Sequence, residues 1–80
     1  MEMATGHYLN VFSTNTERDI FVIFNEPNPE PTLEEIDTIY RLVQTICETV
    51  SEDDLPHKLV EQIEGASLEC VKFGVQIIVC

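Results

Sequence analysis

Acids, cysteines and histidines are the residue types in this sequence that could do chemistry, and their spacing matches no catalytic or metal-binding motif. Glu52, Asp53 and Asp54 are consecutive, whereas a calcium loop requires alternating ligands, a central glycine and a distal glutamate. His7 and His57 are far apart in the sequence, and no Cys/His pair has the spacing of a zinc site. We therefore predict neither a bound metal nor another cofactor.

Covalent and acid–base catalysis have equally little support. Cys70 or Cys80 could pair with a histidine, but nothing in the sequence places a base beside either thiol. Paired carboxylates exchange protons efficiently only in a pocket that raises one pKa, and an 80-residue domain has little room for such a pocket. The expectation is that the protein is not an enzyme. A deep pocket that holds one of these thiols within hydrogen-bond reach of a histidine would reverse it.

The net charge is the unusual property of the chain. Fifteen acidic and four basic residues give −11 at pH 7, beyond the magnitude of about 2 to 8 that is usual for a small domain. Eleven of the acids lie between Glu26 and Glu64, where Arg41 and Lys58 are the only bases. Such a surface repels nucleic acid and anionic membranes and attracts basic surfaces. We therefore expect a protein partner, with no direct contact to nucleic acid or membrane.

A helical region, residues 32–64, must position most of these acids. Its apolar residues recur at steps of one or three and share one side of a helix: Leu33, Ile36, Ile39, Tyr40, Val43, Ile46, Cys47 and Val50. Thr32 and Glu35 predict a capping box at the start of this helix, and Asp37 and Arg41 can pair one turn apart. The helix should end near Val50 or Ser51.

A second, shorter helix follows. An acid or Ser51 can cap it, Pro56 fits only its first turn, and Gly65 is a suitable stop.

Three further segments are typical of strands. In residues 7–14, Leu9 and Val11 occupy one face, and Tyr8 and Phe12 occupy the other. Residues 20–24 are apolar on both faces, which indicates a strand in the interior of the sheet or one that is covered on both sides. Residues 68–80 alternate with period two, and Gly74 within them indicates a bulge or a bend.

This element order predicts one α+β domain, a two-layer ββααβ arrangement with a three-stranded, mostly antiparallel sheet packed on one long and one short helix. The predicted segments are a flexible tail (1–6), a β-hairpin (7–24), a proline-rich loop (25–31), the helical region (32–64) and a C-terminal strand (68–80). The sequence has no apparent signal peptide, no long apolar run and an odd number of cysteines without a CxxC motif, which together favour a cytoplasmic location.

Two surfaces of this arrangement are candidates for binding. Helices can cover one side of the sheet, so the other side would expose an apolar patch that is unusual on a monomer: Tyr8, Phe12, Phe21 and Ile23. A homodimer or another partner could cover that patch, and so could the tail or the proline loop. The second candidate is the set of acids that we expect on the outside of the helical region: Glu34, Asp37, Glu48, Glu52, Asp53 and Asp54.

Carboxylates one helical turn apart are separated by about 5.4 Å, a density comparable with the spacing of about 3.4 Å between phosphates along a nucleic-acid strand. An acidic helix face could therefore occupy a groove that holds a nucleic-acid backbone. The competing interpretation is a solvated face that only confers solubility.

In character the chain resembles the small, acidic, phage-encoded inhibitors of host defence, notably anti-CRISPR proteins and other nucleic-acid mimics. The features that carry the resemblance are the acids between Glu26 and Glu64, the hairpin-like segment from His7 to Phe24 and the short closing strand. No motif is shared, so no residue role is carried over. The resemblance implies a stoichiometric inhibitor in the host cytoplasm. The alternative hypothesis is a structural or adaptor module that homodimerises or binds a partner through its apolar sheet face.

Overall fold

The computed structural model describes residues 7–14 and 17–80, and the predicted tail lies outside them. In chain order the elements are β1 (Tyr8–Ser13), β2 (Arg18–Phe24), α1 (Leu33–Thr49), α2 (Leu55–Gly65), a 3₁₀ turn (Glu69–Val71) and β3 (Val75–Val79). The sheet has the order β1-β2-β3 and both pairings are antiparallel. The predicted α+β fold, with one long and one short helix, is confirmed.

The hydrophobic core lies between one face of the sheet and the two helices. Strand β2 is central, as its apolar run predicts, and its alternate residues Ile20, Val22 and Phe24 are buried. The helices contribute Ile39, Val43, Ile46, Cys47, Leu55, Leu59 and Ile63. The predicted apolar stripe of α1 is buried only in part, because Leu33 is 84% exposed and Tyr40 is 41% exposed.

The two helices begin differently. The predicted capping box of α1 is formed: Thr32 Oγ1 accepts the Glu35 N–H at 3.2 Å, and Glu35 Oε1 accepts the Thr32 N–H at 2.9 Å. One of the acids that can cap α2, Asp54, occupies its N-cap position, but the Asp54 side chain makes no capping hydrogen bond. Pro56 lies in the first turn, as predicted.

The prediction of one strand across residues 68–80 is wrong in its first half. Residues 69–71 form a 3₁₀ turn, and Gly74 adopts a φ of 94° in the bend just before β3 begins. The proline loop holds this turn in place, because Asn28 Oδ1 accepts the Phe73 N–H and Asn28 Nδ2 donates to the Gly74 C=O, both at 2.7 Å. The Gly74 C=O also accepts the Asn25 N–H at 3.1 Å, so a side chain and the residue after β2 together satisfy the backbone of this turn.

Candidate interaction surfaces

The acidic surface consists of the six carboxylates predicted for partner binding, and the structure exposes all of them. Helix α1 presents Glu34, Asp37 and Glu48 on the side opposite its buried stripe. The remaining three, Glu52, Asp53 and Asp54, follow in the loop between α1 and α2. The helix period sets the position of the first three, and the absence of a side-chain cap leaves Asp54 available.

Ion pairs neutralise two of these six carboxylates. The predicted pair joins Asp37 Oδ2 to Arg41 Nη2 at 3.1 Å. Glu52 accepts two hydrogen bonds from Arg18 at 3.0 Å each, and this contact lowers the pKa of Glu52 and raises that of Arg18.

Four carboxylates of the acidic surface have no cationic partner within the described part of the chain. They are Glu34, Glu48, Asp53 and Asp54.

All four basic side chains of the sequence are engaged with carboxylates. Besides Arg18 and Arg41, Lys58 lies 3.4 Å from Glu61 Oε1, and Lys72 lies 3.7 Å from Glu69 Oε1. Lys72 also sits 5.7 Å from the centre of the Phe73 ring. Each of these four cations is therefore already paired with a carboxylate, whereas binding to a phosphate backbone requires cations that can contact phosphates.

The charge is distributed unequally between the two layers. Residues 33–65, which contain both helices, carry nine acidic and two basic side chains. The three strands together carry one acid, Asp19, and one base, Arg18. One layer of the molecule is therefore strongly anionic and the other has no net charge.

The apolar sheet face is the side of the sheet that the helices do not cover. The register places Tyr8 opposite Ile23 and Phe21 opposite Ile78. Tyr8 is 67% exposed, Phe12 51% and Ile78 47%, while Phe21 and Ile23 are partly buried. The rings of Tyr8 and Phe21 lie 6.3 Å apart, which is a favourable spacing for an aromatic pair.

Ile78 is the member of this face that the sequence reasoning missed. The signal was present, because Ile78 interrupts the apolar–polar alternation of β3 on the side where Gln76 lies. Among the residues that the structure describes, neither the proline loop nor any helix covers Tyr8 or Phe12.

The cysteines and histidines do not converge. Burial, reinforced by Glu35, raises the pKa of the Cys70 thiol to about 11, which keeps it protonated near neutral pH. Cys80 is exposed, and neither histidine bonds to a thiol within residues 7–14 and 17–80. In the same residues no group of three potential ligands is placed to hold a metal ion.

A shallow depression beside the start of α1 holds neither a thiol nor a histidine. It is lined by Thr32, Glu34, Glu35, Thr38 and Leu68.

Neither α1 nor α2 has the length and apolar character needed to cross a membrane, and no other helix in the described part of the chain does. No protein-family model matches the chain, and comparisons with the curated proteins and with the solved structures find no match either.

Proposed function

We propose that this protein is a non-enzymatic inhibitor that binds a basic surface on a nucleic-acid-handling complex through its acidic surface. The observation that supports the proposal is the unequal charge of the two layers. Four carboxylates on the helical side have no cationic partner among the described residues, and every lysine and arginine is already engaged. A basic groove on a partner would supply the missing cations.

The geometry suits recognition without rearrangement. Helix α1 is fixed at its start by the capping box and along its length by the buried stripe, so Glu34 and Glu48 are held on a rigid element. Long-range attraction between opposite charges would speed the encounter, and salt would weaken it because the screening length is about 8 Å at physiological ionic strength. This is the mode of action that the resemblance to anti-CRISPR proteins implies, with the host cytoplasm as its location.

Charge reversal at two different places tests the proposal. One variant replaces Glu34, Glu48 and Asp53 with lysine. The control replaces three exposed acids outside the acidic surface, Asp19, Glu26 and Glu30, with lysine. It therefore changes the net charge by the same amount. Each immobilised protein is exposed to a nuclease-treated bacterial lysate, and bound proteins are then released with duplex DNA.

We expect wild type and control to retain proteins that duplex DNA releases, and the acidic-surface variant to retain at least about tenfold less. Unchanged retention by that variant would show that the acidic surface is irrelevant. An equal loss in both variants would show that only total charge matters, and it would also contradict the proposal.

A second candidate function is supported by the exposed aromatic side chains of the sheet. In this hypothesis the protein is a structural or adaptor module whose apolar sheet face packs against an apolar surface of a partner. Such a contact persists in about 1 M salt, where the screening length falls to about 3 Å. Retention at high salt that Phe12→Lys abolishes would support this function, and loss of all retained protein at high salt would exclude it.

A further inference from the structure

The sheet has two edges, and side chains of α1 bond to two outward carbonyls of the first edge, β1. The Phe24 N–H donates to the His7 C=O at 2.9 Å, so the odd-numbered residues of β1 bond to β2 and the even-numbered residues direct their backbone groups outward. Tyr40 Oη donates to the outward C=O of Asn10 at 3.2 Å, and Gln44 Nε2 donates to that of Phe12 at 3.1 Å. These carbonyls are therefore occupied before any other strand approaches.

The β3 edge is closed at one position. The Cys80 N–H donates to the Asp19 C=O at 2.9 Å, so the even-numbered residues of β3 bond to β2 and Val75, Ile77 and Val79 direct their backbone groups outward. Glu64 Oε2 accepts the Val75 N–H at 3.1 Å. Within the described residues nothing bonds to the outward N–H and C=O groups of Ile77 or Val79.

Within its own sequence, strand β3 has none of the charged residues or prolines that keep many edge strands apart. Residues 75–79 read VQIIV, with no lysine, proline or acid. Ile78 adds a 47% exposed apolar side chain to the sheet face beside this edge. An uncharged strand in which four of five residues are β-branched, and in which Ile77 and Val79 have open backbone groups, is a template for another strand.

We propose that β3 pairs antiparallel with β3 of a second copy, so that two three-stranded sheets join across a two-fold axis. The backbone groups of Ile77 and Val79 that have no partner within the described residues determine which residues of the two β3 strands lie opposite each other. When Ile77 lies opposite the partner's Val79, each residue exchanges both N–H···O bonds with its opposite, and Val75 keeps its bond to Glu64. A register centred on Ile77 would instead require the Val75 N–H to leave Glu64.

In this register the axis passes through Ile78. The two copies of Ile78 then form a non-hydrogen-bonded pair, in which Cα atoms lie about 4.5 Å apart and side chains make their closest contact. The pairing does not depend on the inhibitory function, because the acidic surface lies on the helical layer. A dimer would present that surface twice.

Light scattering of the full chain across a wide concentration range, under reducing conditions, tests the proposal. We expect wild type to dimerise, and Ile78→Lys to weaken the dimer at least about tenfold because it places like charges together at the axis. Phe12→Lys is the matched control, with similar exposure on the same face but at the other edge, and it should leave the dimer intact. An equimolar mixture of Ile78→Lys and Ile78→Glu should restore association.

A cysteine pair tests the register. In a Cys80→Ser background, Ile78→Cys should form an intermolecular disulfide with oxidised glutathione, because the paired Cα atoms are within the 4.4–6.8 Å that a disulfide spans. Gln76→Cys lies on the same strand and face but opposite residue 80 of the partner, and it should not cross-link.

A wild-type monomer at every concentration would overturn the proposal. So would equal disruption by both lysine variants, which would place the contact on the sheet face, or faster cross-linking of Gln76→Cys. A monomer that still shows salt-sensitive retention of partner proteins would leave the inhibitory function standing.

Discussion

The outer side of the helical layer carries carboxylates that have no cationic partner within residues 7–14 and 17–80, whereas the outer side of the sheet carries aromatic and aliphatic side chains. Both layers direct equally apolar sides into the same core. Burial accounts for Ile39 on α1 and for Phe24 on β2, but it accounts for neither Glu48 nor Tyr8, which point away from the core. The comparison teaches that folding determines the inner sides and leaves both outer sides available for binding.

The largest difference in stability is expected between substitutions on the two sides of the sheet. Phe24→Ala leaves a cavity in the core, where this side chain is 1% exposed, and we expect a loss of about 3–5 kcal/mol in the free energy of unfolding. Phe12→Ala removes the same ring from the apolar sheet face and should cost less than about 1 kcal/mol. Urea unfolding measures both, and equal losses would mean that the outer face is covered in solution.

A smaller effect should come from the contact between the proline loop and the turn before β3. Asn28→Ala removes the acceptor of the Phe73 N–H in a partly buried site, while the Gly74 C=O keeps its bond from the Asn25 N–H, and we expect a cost of about 1–3 kcal/mol. Asn10→Ala on the outer side of the sheet is the control and should stay within about 0.5 kcal/mol of wild type. Chemical denaturation of the three proteins compares them, and a neutral Asn28→Ala would contradict this role.

The start of α1 should be the next most sensitive position. Thr32→Ala removes the side-chain acceptor of the capping box and should cost about 1 kcal/mol. Thr45→Ala, on the exposed side of the same helix, should be neutral or slightly stabilising, because alanine is the better helix former. Thermal unfolding should show a loss for Thr32→Ala and none for Thr45→Ala, and a loss of stability from Thr45→Ala would contradict the comparison.

The smallest effect should be a pH dependence at Glu35. Accepting the Thr32 N–H, and also the Glu69 N–H, lowers the pKa of this carboxyl from its ordinary 4.5. Its contribution to stability is therefore complete above pH 4.5 and is lost as the pH falls through the lowered value.

The difference in stability between wild type and Glu35→Gln should accordingly be greatest at neutral pH and shrink in acid. Unfolding curves at several pH values would show it, with Glu34→Gln as the exposed control. A difference that does not change with pH would show that the ionised form of Glu35 does not stabilise the cap.

Part of the candidate site followed from local sequence. The period of α1 placed Glu34, Asp37 and Glu48 on one side, and the spacing of Asp37 and Arg41 predicted their ion pair. Pairing across the chain could not be foreseen, because Arg18 and Glu52 are 34 residues apart and meet only when β2 packs beside the loop between the helices. Glu52, one of the acids predicted for binding, therefore already forms an ion pair within the fold.

By itself the sequence determined the order of the two helices and three strands, the capping box of α1 and the side of each strand that faces the core, but it did not reveal the 3₁₀ turn before β3. These depend on periodicity and on contacts between residues a few positions apart. Only the tertiary structure decided that β3 begins at Val75, since the bond from the Phe73 N–H goes to Asn28, 45 residues away. The tertiary structure also decided that Tyr40 and Gln44 of α1 donate to backbone carbonyls of β1. These side chains lie far from β1 in the sequence and reach it only when the helical layer packs on the sheet.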